Sequence, residues 1–166
     1  MLERSDRTRA ARVAAALAAG ILACAALLAV CLYLSLSLPS EFDASGWPEA
    51  EDSVVWTVET TRENGRLYVT GYAVEAGLRM YEVNTRILLY DAGTGRCLEL
   101  PTQMSVREDA AALPGMGADA AFGGFCASAP VLFPGSAAQD SEVCIAWDAG
   151  GQRGLIHTGR KAGDAA

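Results

Sequence analysis

The sequence predicts a mainly β protein on a membrane anchor: an N-terminal transmembrane helix followed by an antiparallel β-sandwich, immunoglobulin-like or jelly-roll-like. Three observations lead there. Residues 13–38 are apolar and contain no charged side chain. Beyond them, short runs of alternating apolar and polar residues recur between turn signals. No sustained helical period follows residue 38.

The first twelve residues form a basic stub in which Arg4, Arg7, Arg9 and Arg12 outnumber Glu3 and Asp6. The apolar segment 13–38 is rich in Ala and Leu, both strong helix formers. Its length exceeds the ~20 residues that cross a hydrocarbon core as a helix. Only a helix satisfies its backbone groups in a single lipid-embedded segment. Tyr33, Ser35 and Ser37 suit the outer headgroup level, and Pro39 ends the helix. No Lys or Arg follows until Arg62, so the charge bias places the N-terminus in the cytoplasm and the C-terminal domain outside the cell. The segment is long for a cleaved secretory signal, although Ser35-Leu36-Ser37 resembles a weak cleavage site. A lipid-modified Cys24 is disfavoured because the chain stays apolar well past it.

Residues 39–52 read as a linker: Gly46, Pro48 and five acids, with no apolar period. From residue 53 the texture is that of strands. Val54, Trp56 and Val58 alternate with Val55, Thr57 and Glu59. Asn64-Gly65 marks a hairpin, and 66–74 is its return strand, where Gly71 signals a bulge or a close backbone approach. The run 81–90 puts Tyr81, Val83, Thr85, Ile87 and Leu89 on one face. A turn at 91–95 leads to a short strand at 97–100. The segment 108–124 allows one helical turn before Pro114, Gly115 and Gly117. Residues 125–133, 143–147 and 155–157 complete six or seven strands, the last two joined by a turn at 148–151. Residues 159–166 read as a flexible tail.

The net charge is −7, and beyond residue 38 there are 18 acidic against 9 basic side chains. Such a domain is unsuited to nucleic acid, which is held by clustered Lys and Arg. His157 is the one histidine. A metal site would need carboxylates or thiolates converging on it, and a catalytic role would need a nucleophile beside it. Neither is visible along the chain, so no metal, cofactor or catalytic residue is expected. Cys97, Cys126 and Cys144 lie beyond the anchor. Cys126 and Cys144 fall mid-strand and would form a disulfide if their strands faced each other at bonding distance. Asp91-x-Gly-x-Gly lacks the alternating acids of a calcium loop and reads as a turn. Tyr68 and Tyr72 share one face of a strand, and Arg107-Glu108-Asp109 is the densest charge group. Tyr68, Tyr72, Arg107 and Asp109 are therefore the candidate binding residues.

Several short motifs occur in order across most of 53–158: Gly71-Tyr72-Ala73, Asn84 with Ile87-Leu88-Leu89, Leu100-Pro101-Thr102, Arg107-Glu108-Asp109 and Gly124-Phe125-Cys126-Ala127. With them the domain resembles a small β-sandwich module of membrane-anchored envelope proteins in Gram-positive bacteria, sometimes attached to enzymes that build surface polysaccharides. That resemblance implies a place in the cell envelope and a non-catalytic binding or scaffolding role, with an envelope protein or a surface glycan as partner. Two alternatives stand beside it. One is a small envelope enzyme using Cys126 or Cys144 with His157. The other is a structural protein that pairs through a sheet edge.

Overall fold

The computed structural model describes residues 2–79, 82–130 and 140–164. The chain divides into two compact units, 1–36 and 37–166. The first is a single helix, α1 (Leu2–Ser37), which extends back through the basic stub. Within it, Arg12–Ser35 is long and apolar enough to cross a membrane, at 24 residues or about 36 Å. Leu17, Ile21, Leu22, Leu27 and Leu28 all stand exposed. A helix apolar on every side suits lipid rather than water.

The second unit is mainly β, with two antiparallel sheets. Among the described residues there are nine strands: β1 (Ser40–Phe42), β2 (Val54–Glu63), β3 (Arg66–Glu75), β4 (Arg86–Asp91), β5 (Arg96–Leu100), β6 (Thr102–Ser105), β7 (Gly124–Pro130), β8 (Glu142–Ala149) and β9 (Gln152–Lys161). One sheet runs β1-β5-β4-β8-β9 and the other β2-β3-β7-β6. Alternate residues of both sheets point into one shared core, including Val58, Val69 and Phe125 from one and Ile87, Leu100 and Ile145 from the other. Thr102 stitches the sheets near a corner. Its hydroxyl accepts the Ile87 N–H at 3.2 Å and donates to the Leu100 carbonyl at 2.8 Å.

The turn chemistry follows the sequence. Asn64 and Gly65 both hold positive φ, the geometry that matches strand twist in a two-residue hairpin. Gly71 keeps β2 and β3 in continuous register, so it forms no bulge. A Cβ there would run into the Thr57 carbonyl and the Phe125 ring, so the close approach is what requires glycine. The Asp91 carboxylate accepts the Gly93 N–H at 2.9 Å and the Thr94 hydroxyl at 2.7 Å. These bonds hold Asp91 below the usual carboxylate range, the Thr94 hydroxyl contributing most, and the turn accounts for its side chain. The helical turn expected after residue 108 is α2 (Glu108–Ala111), followed by a 3-10 turn at Ala118–Gly123.

Four expectations need correction. Residues 39–52 are not a free linker: β1 pairs with β5, Trp47 packs against a second apolar cluster, and Ala50 donates to the Leu155 carbonyl. The run 81–90 becomes a continuous strand only from Arg86; before it, a Val83–Ala149 bridge and an Asn84 N–H donated to the Asp148 carbonyl keep the register of the β4–β8 ladder. The tail expected from 159 is largely structured: β9 continues to Lys161 and Ala162 is buried in the main core. Among the described residues the strands number nine rather than six or seven, since β1 and β6 are too short to show a period. Tyr81, 131–133 of the strand expected at 125–133, and 165–166 lie outside the described residues.

Candidate functional site

The outer face of the five-stranded sheet is unusual for a surface. Leu88 of β4, Cys97 of β5, and Cys144 and Ala146 of β8 are buried there. Phe42, Ala44, Trp47, Tyr90 and Leu155 cover them. Leu88 thus makes β4 apolar on both faces, and the 40–47 segment acts as a strap over the sheet. Beside the strap lies a cleft of about 480 Å³, lined in part by Glu41, Asp43, Tyr90, Arg96, Cys97 and His157. Arg96 pairs with Glu41 at its rim.

Next to this cleft, which His157 lines, β8 and β9 bring three ligand-type side chains together. Glu142 and Cys144 are two residues apart and share the outer face of β8. Cys144 pairs directly with His157 across the hairpin. The ladder then shifts between Cys144 and Glu142, so that Glu142 pairs with Lys161. Extra residues bulge out of β9 around Gly159, which takes φ +67°. The bulge lets the Gly159 N–H donate to Glu142 Oε1 at 2.7 Å. Glu142 Oε2 then stands 3.2 Å from His157 Nδ1, and Cys144 Sγ stands 3.5 Å from the same nitrogen. The Tyr90 ring meets the imidazole edge-on, centroids 5.4 Å apart.

Cys144 is fully buried and its thiol is pushed up to about 12, chiefly by burial and further by the charges of Glu142 and Cys97. Burial pushes the Cys97 thiol up as well. These are the surroundings of an inert thiol rather than of a nucleophile, which needs a lowered pKa and access. Glu142 and Cys144 also address one ring nitrogen, whereas a catalytic relay places base and orienting group on opposite nitrogens.

Of the other sequence candidates, Tyr68, Tyr72 and Cys126 lie on strands of the second sheet, and Arg107 and Asp109 at the start of α2. Tyr68 and Tyr72 share the outer face of β3, both half-buried. The Arg107 guanidinium lies over the Tyr72 ring, 5.9 Å to the centroid, and forms two 2.8 Å hydrogen bonds to the Asp109 carboxylate. Those bonds hold Asp109 below its ordinary value. Tyr72, Arg107 and Asp109 thus form one group, with Tyr68 farther along the same strand. Cys126 faces outward on β7 of this sheet, while Cys144 faces outward on β8 of the other. Both are free, so the Cys126–Cys144 disulfide does not form; the two outer faces point away from each other across the core.

Glu142 escaped the sequence reading, although two signals bore on it. Its spacing from Cys144 places both on one strand face. Counting outward from a two-residue turn at Gly150-Gly151 also sets Cys144 opposite His157. The bulge that draws Glu142 inward had no comparable signal. Compared with protein-family models, curated proteins and solved structures, the chain matches none.

Proposed function

We propose that this chain is a single-pass membrane protein, N-terminus inside, whose extracytoplasmic β-sandwich is a non-catalytic binding or scaffolding module of the cell envelope. The immunoglobulin-like or jelly-roll-like sandwich and the envelope setting belong to this reading, as does the resemblance to Gram-positive envelope modules. The observation that carries it is the pairing of one lipid-suited helix, Arg12–Ser35, with a separately compact unit of two sheets. The partner is a surface glycan or an envelope protein, met by the Tyr68–Tyr72–Arg107–Asp109 face. Half-buried tyrosines beside a guanidinium offer a ring face and polar donors together, which suits a sugar.

The enzyme reading gains one observation, the 3.5 Å approach of Cys144 to His157. The burial and high pKa of that thiol weigh against it. The edge-pairing reading meets obstacles at both long edges. β2 carries Glu59, Arg62 and Glu63, and the 48–50 segment bonds along β9 at Leu155.

The test is mild crosslinking of the full-length protein in its native membrane, followed by affinity recovery against the same anchor without its outer domain. Specific recovery of a surface glycan or an envelope protein is expected. Recovery equal to the control would overturn the binding reading. Labelling of residues in the outer domain of intact cells by a membrane-impermeant reagent checks the orientation.

A further inference from the structure

We propose that Glu142, Cys144 and His157 form a binding site for a zinc-class divalent cation, with a fourth coordination position open to the cleft beside the 40–47 strap. This goes beyond the binding-module reading and does not depend on its partner.

The first argument is geometric. Zinc takes Cys sulfur at about 2.3 Å and His nitrogen or carboxylate oxygen at about 2.0–2.2 Å, in a tetrahedron. Those lengths set the sulfur–nitrogen edge at about 3.5 Å and the nitrogen–oxygen edge at about 3.3 Å. Cys144 Sγ to His157 Nδ1 is 3.5 Å, and His157 Nδ1 to Glu142 Oε2 is 3.2 Å. All three ligand atoms lie within 4.8 Å of one another. The two edges that meet at His157 Nδ1 therefore match the polyhedron, and the sulfur–oxygen edge lies within 4.8 Å.

The second argument is chemical. Nδ1 carries at most one hydrogen, yet it faces a sulfur and a carboxylate oxygen at once. Whichever group it bonds, the other loses a full partner, whereas one cation between them engages all three. A thiolate and a carboxylate also match the charge of a divalent ion. A single carboxylate is too few oxygens for calcium, and the sulfur and nitrogen donors suit zinc rather than the hard magnesium ion.

The third argument is the support around the ligands. Glu142 Oε1 is held by the Gly159 N–H, which leaves Oε2 directed at His157. Outer hydrogen bonds of this kind orient metal ligands. Tyr90 packs edge-on against the imidazole, and Cys144 is fixed in a central strand. His157 also lines the cleft, so a fourth ligand from solvent has a route to the ion. Cys97 lines the same cleft but lies outside the three-atom group.

The experiment uses the full chain in detergent, stripped of metal by a chelator and titrated with Co²⁺, then with Zn²⁺. Expected are saturable 1:1 binding, a thiolate-to-cobalt charge-transfer band, the intense visible bands of a tetrahedral ion, and their loss on adding Zn²⁺. Cys144→Ser removes the charge-transfer band, while Cys97→Ser and Cys126→Ser keep it. His157→Ala, at an exposed position, lowers Zn²⁺ affinity by at least about 10-fold and abolishes the rise in Tm that Zn²⁺ gives the parent. Glu142→Gln weakens binding in the same direction. If Cys144→Ser fails to fold, the His157→Ala comparison decides. Absence of the band in the parent, its survival in Cys144→Ser, or equal Zn²⁺ affinity in His157→Ala and the parent would overturn the proposal.

Discussion

Cys144 and His157 face each other across the β8–β9 hairpin, with sulfur and ring nitrogen 3.5 Å apart, and the thiol is buried while the imidazole is exposed. The pair therefore has one dry member and one wet member, and the dry one governs its reactivity.

Cys144 in chelator-treated protein is expected to resist alkylation. Its thiol is pushed from an ordinary 9.0 to about 12. At pH 8 that lowers the thiolate fraction on the order of 1,000-fold. Differential alkylation read by mass spectrometry should label Cys126 first and Cys144 only after denaturation. The sign for stability follows from the same shift. The folded state holds this proton more tightly than the unfolded chain, so the contribution is complete below pH 9.0 and is lost as pH rises toward about 12. Cys144→Ala should flatten that alkaline limb in denaturation curves.

Gly65 and Gly71 should fail differently when changed to alanine. At Gly65, φ is +73° with open space around the missing Cβ, so Gly65→Ala costs about 1–2 kcal/mol of backbone strain. At Gly71 the added carbon meets the Thr57 backbone and the Phe125 ring, and the cost rises to roughly 3 kcal/mol or more. Denaturant midpoints of the two variants in detergent distinguish these costs.

The 40–50 segment should resist proteases in the native protein. β1 pairs with β5, Trp47 packs on the second apolar cluster, and the Arg153 guanidinium lies 5.7 Å from its ring centroid. Trp47→Ala is expected to cost about 1–3 kcal/mol and to open this segment to cleavage. Limited proteolysis with mapping of the cut sites reads both effects. A segment cut as fast as an unfolded peptide would contradict the packing.

Tyr68→Ala should lower recovery of the envelope partner severalfold while shifting Tm little. Tyr68 is half-buried, while its two chain neighbours, Leu67 and Val69, are the ones that enter the main core. A severalfold loss corresponds to about 1 kcal/mol, the scale of one aromatic contact. Crosslinked recovery and thermal melts of the same preparation separate lost binding from lost folding.

Chain-local physics made much of this molecule legible in advance. A charge-free apolar run announces α1, because length and composition alone decide whether a helix can cross lipid. Asn64-Gly65 announces its hairpin, because positive φ is a property of those two residues. Alternation around Val54 and Val58 announces which face is buried. The strap of residues 40–50 looked like a linker because three residues are too few to show a period, and its apolar anchors Phe42 and Trp47 matter only against a sheet face assembled from distant strands. Strand order placed Cys126 and Cys144 on opposite outer faces, a fact that spacing does not encode. Tertiary structure likewise decided the Glu142–Cys144–His157 group. The hairpin register alone sets two of its members opposite each other, but the bulge at Gly159 that turns Glu142 toward them exists only once β8 and β9 are paired within the sheet.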